Sequence, residues 1–372
     1  MRVTVISQVP PPVHGSTLVT QLLLETLTEL GVEVRMVDRR FSRSVSEVGR
    51  FSARKLLSAM GLVMRLVVCL SRFRPRTVVF FATNRSFSFL VDWTLSEVLR
   101  VSRTQSILYI HTIGFKALAQ RGPLWSFLVR RLLSSADMVV CLGPALASDL
   151  APWVHESRIH FIANALPEQP QAVATPKTSE RSVLFLSNAL PEKGADTFVE
   201  VAALVSGSGL SSRFLLAGSP TDDTFERLLS DAASERQLGE RLRRVRSMSP
   251  VEKWQLISEC AVFVFPSRYP FEAQPLVIIE ALAAGKPVVA FDIGGVRDLV
   301  TDGVNGYVVS NGDTAEMARR VSELLTDTSL QALLGTQART SYLSHHTREA
   351  FRTAWARALD LDEGPPLKVR TP

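Results

Sequence analysis

The chain of 372 residues is poor in cysteine, with only Cys69, Cys141 and Cys260. None belongs to a C-x-x-C pair, and each lies in an apolar run, so they read as small buried hydrophobes. Nothing in that usage points to an oxidising compartment or a thiolate metal site. No long apolar run is present either. The longest, residues 56–70, is broken by Arg65 and falls short of the roughly 20 residues that a membrane-spanning helix needs. The opening MRVTVISQVPPP lacks the apolar stretch of a secretory signal. A cytoplasmic location is therefore expected. Glycine and proline, 20 each, are at ordinary levels, which excludes collagen-like and low-complexity chains. No internal repeat of solenoid length is visible. A G-x-G-x-x-G fingerprint is also missing, which counts against NAD or FAD.

What remains is 46% apolar and 21% charged, enough to bury the cores of two domains. The formal charge of +6 is unevenly spread. Residues 1–165 hold 20 Lys and Arg against 10 Asp and Glu, while 166–372 hold 22 against 26. A basic first half suits an anionic partner: nucleic acid, a phosphorylated substrate or an anionic membrane surface.

Short β-branched runs alternate with helix-length segments, the signature of parallel α/β architecture. Strands are expected over 3–6, 34–37, 77–81, 106–110, 138–141 and 159–162, with helices over 16–30, 50–73, 91–101 and 123–134. Residues 164–181, with three prolines, read as a linker. The pattern then restarts, with strands at 183–187, 213–217, 261–265, 287–291 and 307–309 and helices at 194–206, 224–237, 250–258, 277–284 and 314–326. A last helix is expected at 350–361, followed by a proline-rich tail. Two doubly wound domains follow, about 1–165 and 166–350, with a ligand expected at strand C-terminal ends in the cleft between them.

The most informative stretch is 265–309, FPSRYPFEAQPLVIIEALAAGKPVVAFDIGGVRDLVTDGVNGYVV. Glu272 and Glu280 lie eight positions apart, and Pro275 between them suits the first turn of a helix. Glu272 would then precede the helix and Glu280 lie within it. Unpaired backbone N–H groups around Pro275, Leu276 and Val277 would form an anion site beside Glu272. Two carboxylates flanking an anion site could hold a sugar, a diphosphate and a ribose in sequence.

On these residues the chain resembles retaining glycosyltransferases of the GT-B fold, the large family 4, also called glycosyl transferases group 1. The family's E-x7-E stands as Glu272 and Glu280, and its EA-[ML]-A-x-G-x-P-V as residues 280–288. Its G-G-[IV]-x-[DE]-[IL]-V turn falls at 294–300 and its D-G-x-N-G at 302–306. The second-domain entry appears as FLSNALPEKG, 185–194, in which Lys193 matches the lysine that contacts the donor diphosphate. The usual arginine of that turn is replaced by Asn188. The stretch QVPPPVHGSTLVTQLLL, 8–24, resembles the family's first glycine loop, with His14-Gly15 for the usual Gly-Gly. There Gly15 and Ser16, just before the helix, would approach a phosphate or acceptor, and His14 would either line the cleft or serve the helix entry. His111, ending the strand in ILYIHTIGF, matches a histidine near the reacting centre of the donor sugar.

The resemblance implies two Rossmann-like domains facing each other across a cleft, the last helix, about 351–362, packing back on the first. It implies a hexosyltransferase that moves a sugar from a nucleotide diphospho-sugar to an acceptor hydroxyl with retention, in cell-surface polysaccharide or glycolipid assembly. Glu272 and His111 are then the catalytic candidates. Lys193, Glu280, Asn188, Pro275, Leu276, Val277, Gly15 and Ser16 are donor-binding candidates, with His14 and Arg85 on the acceptor side. No nucleophile is assigned. No metal is expected, because neither Asp222-Asp223 nor Asp360-Leu361-Asp362 follows a convincing strand; no other cofactor is expected. The basic amphipathic segment 50–76, echoed by 121–131, reads either as a core helix of the first domain with a solvated basic end or as a surface for peripheral attachment to an anionic bilayer at the inner face of the membrane. Nucleic acid is not expected, since no binding motif accompanies the charge. Two alternatives stay open: a sugar-nucleotide epimerase on the same fold, or a non-catalytic binding or scaffold subunit.

Overall fold

Runs such as TVVFFA and CAVFVF have no polar face, and a strand buried on both sides belongs in a parallel sheet covered by helices. The computed structural model describes residues 1–11, 14–39, 53–167, 181–188, 190–220 and 222–361, with side chains from residue 57 in the third stretch. It divides into two compact units, one of Met1–Pro167 with Arg348–Pro372, the other of Glu168–Thr347.

The first unit is a six-stranded sheet of β1 (Arg2–Ser7), β2 (Glu33–Asp38), β3 (Thr77–Ala82), β4 (Gln105–Ile110), β5 (Met138–Cys141) and β6 (Ile159–Phe161), in the order β2-β1-β3-β4-β5-β6. The second repeats the plan with β7 (Arg181–Leu186), β8 (Ser212–Ala217), β9 (Leu242–Val245), β10 (Cys260–Phe265), β11 (Val288–Phe291) and β12 (Gly306–Val309), in the order β12-β11-β10-β7-β8-β9. Every neighbouring pair is parallel. The expected α/β class is therefore the observed one. Strand β9 went unpredicted, because LRRV hides a short edge strand behind two arginines. The helix Thr328–His345 was also unpredicted, its apolar spacing being weak.

In each sheet the chain first winds one way and then the other. That reversal makes a crevice at the C-terminal strand ends between β1 and β3, and between β7 and β10, where open α/β sheets bind ligands. The helix Arg348–Ala358 belongs to the first unit: Arg348 pairs with Glu25 at 3.0 Å and Glu29 at 2.6 Å. Trp355 is buried edge-on to Tyr109, with ring centroids 5.1 Å apart. The three cysteines are free and buried. Of the expected linker 164–181, residues 168–180 lie outside the described residues, as do 50–52 of the basic segment, Asp362 and the C-terminal tail.

Candidate functional site

Two loops of the second unit meet at its crevice. The loop after β7 forms a short 3-10 turn, Pro191–Lys193, closed by Gly194 at φ +81. A Cβ at Gly194 would stand 2.0 Å from the Pro266 carbonyl oxygen, so only glycine lets this turn lie against the loop that follows β10. Arg268 reinforces the contact: its N–H donates to the Glu192 carbonyl at 2.7 Å and its guanidinium pairs with Asp196 at 2.7 Å.

That close approach brings Lys193 to Glu272, seventy-nine residues apart in sequence, with Nζ donating to Oε2 at 2.6 Å. Ser267 Oγ donates to the same oxygen at 2.9 Å. Glu272 is 7% exposed, and the Lys193 ammonium lies 4.7 Å from the centre of the Tyr269 ring. A lysine has three donors, so two remain for an anion, and Glu272 Oε1 is left to accept from a hydroxyl. The Gly-Gly turn after β11 closes on the same carboxylate's backbone. The Gly295 N–H donates to the Glu272 carbonyl at 3.2 Å, and a Cβ on Gly294 would lie 1.8 Å from it.

The helix Leu276–Ala283 starts directly behind. Pro275 is its capping residue, with extended ψ of 121°, not a residue of its first turn as expected; lacking an N–H, it adds no donor. Leu276 and Val277 supply the first amides free of intrahelical acceptors. Within the helix Glu280 is buried, its Oε1 accepting from Lys253 Nζ at 2.6 Å. Its Oε2 is buried without a hydrogen-bond partner among the described residues. Burial, only partly offset by Lys253, pushes the Glu280 carboxyl above its ordinary range.

Lys253 was not legible beforehand, because it comes from the helix Pro250–Glu259, started by a Ser249–Glu252 capping box. Its removal makes a prediction. With its folded pKa raised, Glu280 holds its proton more tightly in the folded state, and the ionised form costs stability as pH climbs through that value. Lys253→Met takes away the compensating charge and should cost about 2 kcal/mol at about pH 8. The loss should shrink as pH falls and the acid protonates. Urea unfolding of both proteins at several pH values checks this; a pH-independent difference would contradict it.

The other motifs have structural work. Asn305, 1% exposed, donates through Nδ2 to the Leu299 carbonyl at 2.9 Å, and its Oδ1 accepts from the Thr301 N–H at 2.8 Å. Gly306 lets β12 lie against β11, since its Cβ would come 2.0 Å from the Val288 carbonyl oxygen. Asn188 is exposed at the end of β7, beside Gly218, whose Cβ would meet the Ser187 carbonyl at 1.7 Å.

In the first unit, His111 directly follows β4. Its ring stacks on Phe81 at 4.9 Å and meets Tyr109 edge-on at 4.1 Å. Part of the residue reaches solvent, but Nε2 is buried and has no hydrogen-bond partner among the described residues. Burial pulls the imidazole pKa down to about 3, so it is neutral at physiological pH. The next loop is latched by two residues missed in the sequence. Asp149 accepts from the Gly114, Phe115 and Lys116 amides at 2.8, 2.8 and 3.1 Å, and Asn84 donates to the Ile113 carbonyl at 2.6 Å. Arg85 precedes the helix Ser86–Ser102. Gly15 and Ser16 are the first two residues of the helix Gly15–Glu29, not the residues before it. His14 is the exposed capping residue, its Nδ1 3.1 Å from Ser16 Oγ. Among the described residues no three His, Cys, Asp or Glu side chains gather as a metal site. Asp222 instead caps a helix, accepting from the Thr224 N–H at 3.0 Å.

Residues 168–341, most of the second unit, match the family described as glycosyl transferases group 1. The chain is 34% identical over 157 residues to alpha-D-kanosaminyltransferase of Streptomyces kanamyceticus, a match covering 42% of this chain and 39% of that one. The first curated relatives are matched over 32–39% of their own length. Among solved structures, sucrose-phosphate synthase of Thermosynechococcus elongatus is similar with a TM-score of 0.76 at 20% identity, over 96% of this chain and 98% of that one. The Anabaena protein HepE, solved in complex with UDP, is similar with a TM-score of 0.71 at 17% identity, over 97% and 100%. At these identities the likeness establishes the fold: two Rossmann-like units of the GT-B type.

Proposed function

We propose that this protein is a glycosyltransferase that moves a sugar from a nucleotide diphospho-sugar to an acceptor hydroxyl with retained anomeric configuration, as in family 4. The observation that carries the reading is the Lys193–Glu272 contact at 2.6 Å, made by the loops after β7 and β10, in the unit that matches the group 1 family. On this reading Lys193 turns its two remaining donors to the diphosphate, helped by the Leu276 and Val277 amides, and offsets the charge that develops on the leaving group. Glu272 Oε1 accepts from sugar hydroxyls and sets the anomeric carbon. Glu280 Oε2, buried and without a partner among the described residues, takes the ribose hydroxyls. Asn188 lines the donor side where the family's arginine would stand.

His111, a neutral imidazole at the end of β4 in the first unit, is the other catalytic candidate, as the family resemblance implies. Gly15 and Ser16 are donor-side candidates, and His14 and Arg85 acceptor-side ones. The acceptor is a sugar or lipid-linked sugar of a cell-surface polysaccharide or glycolipid, met by peripheral attachment to the inner face of the membrane.

Thermal unfolding of the full chain against a panel of nucleotide sugars tests the donor site, because a ligand that binds only the folded state raises its stability. One donor should raise the midpoint by several degrees and release nucleoside diphosphate when an acceptor is added. Lys193→Ala should raise the KM for that donor about tenfold, with a smaller change in kcat. No shift with any nucleotide sugar at millimolar concentration would overturn the reading. An isomerised donor without acceptor would make the protein an epimerase instead.

A further inference from the structure

The helix Ala53–Arg72 is apolar on two opposite faces. One is buried: Ala59, Leu62, Leu66 and Cys69 pack into the first unit. The other carries Leu57, Met60, Met64, Val67 and Val68, which are 67%, 58%, 61%, 42% and 43% exposed. At 100° per residue these five fall in a single stripe opposite the core. A surface helix ordinarily shows water a polar face, and a contiguous run of large aliphatics marks an interaction surface.

The charge around the stripe selects what covers it. Residues 50–131 contain 14 Lys and Arg and only two acids, Asp92 and Glu97. Both acids are already engaged, Asp92 with Arg39 at 2.5 Å and Glu97 with Arg131 at 2.7 Å. Arg65 and Arg72 run along one edge of the stripe, and Arg74 and Arg76 follow its end. Among the described residues none of the four makes an ion pair. In the same helical layer, the helix Pro123–Ser135 exposes Leu124 and Phe127 beside Arg121 and Arg130. No helix among the described residues is long and apolar enough to cross a membrane.

We propose that the exposed stripe of the helix Ala53–Arg72 is the surface by which this protein docks on an anionic lipid bilayer. The inference deepens the peripheral attachment named in the proposed function and rests on that part of it alone. Leu57, Met60, Met64, Val67 and Val68 enter the headgroup–acyl boundary, while Arg65 and Arg72 meet the lipid phosphates. A second copy is a poorer occupant: a two-fold contact along the stripe would oppose arginine to arginine, and the two acids among the described residues of 53–131 are already paired.

Co-sedimentation of the full chain with vesicles tests this. It should bind phosphatidylcholine vesicles containing phosphatidylglycerol at low salt, and bind pure phosphatidylcholine vesicles or high-salt samples much less. Arg65→Gln with Arg72→Gln should weaken binding to anionic vesicles about 25-fold, roughly fivefold for each charge. Met60→Gln with Met64→Gln should weaken it at least tenfold with the charge unchanged. Both variants should keep the wild-type circular dichroism spectrum, unfolding midpoint and donor-induced thermal shift. Equal sedimentation of all three proteins, or none by wild type, would overturn the docking surface. So would a concentration-dependent dimer abolished by Met60→Gln with Met64→Gln, which would assign the stripe to a second copy. Vesicle binding without any donor-induced shift or sugar transfer would sink the catalytic reading alone and leave the docking surface standing.

Discussion

Glu272→Ala is expected to lower sugar transfer by about a thousandfold or more while leaving the fold intact. The carboxylate is the group proposed to hold the sugar, and removing a preorganised polar contact to the reacting centre costs on the order of a hundred- to a thousandfold. Losing the charge that faces Lys193 adds to this, because the ammonium then settles on solvent or on the diphosphate in an unproductive position. The fold should survive, since the backbone of residue 272 keeps the bond its carbonyl accepts from the Gly295 N–H. Lys193, partly exposed, can turn to water. Glu272→Gln, which keeps the shape and can still accept from Ser267, should be impaired nearly as much, separating charge from packing. Steady-state release of nucleoside diphosphate, with circular dichroism alongside, decides it. Turnover near that of the wild type would remove Glu272 from the site.

Gly294→Val should abolish activity by a different route, through the backbone. Gly294 sits at φ +54, where a β-branched residue is strained, and its Cβ would lie 1.8 Å from the Glu272 carbonyl oxygen. Neither side of that contact is a flexible side chain, so either the Gly-Gly turn or the Glu272 segment must move. We expect a loss of about 3–4 kcal/mol in stability together with loss of transfer. Gly303→Ala is the matched control: φ is +70, but nothing lies within 4 Å of the added Cβ. Its cost should be the backbone strain alone, about 1 kcal/mol, with turnover retained. Similar urea midpoints for the two variants would mean that strain, not the close approach, matters at Gly294.

Both predictions concern positions readable from the sequence, for different reasons. Glu272 and Glu280 lie on one continuous segment, so their placement before and within one helix followed from Pro275 and an unbroken apolar run. The central strands such as β3 and β10 were legible because their buried runs are too apolar for anything but a sheet covered on both faces. The misses share a cause. Strand β9 is stabilised mostly by its neighbour β8 and by the Arg244–Glu226 pair at 2.6 Å. The helix Thr328–His345 is organised around Gly335, which packs against the Gly285 carbonyl. Neither carries a local pattern strong enough to declare itself.

The sparse cysteine and the uneven charge read at the outset now have structural meaning. The cysteines are buried packing residues, and four of the first unit's unbalanced arginines lie along one edge and at the end of an apolar stripe. By itself the sequence determined the α/β class, most of the strands and helices and the spacing of Glu272 and Glu280 about one helix start, because these rest on periodicity, backbone propensity and local spacing. Only the tertiary structure decided that Lys193 reaches Glu272, that Lys253 reaches Glu280, and which face of the helix Ala53–Arg72 stays in water. Those depend on loop–loop approach and on which apolar face the sheet covers, and neither is encoded in the spacing of neighbouring residues.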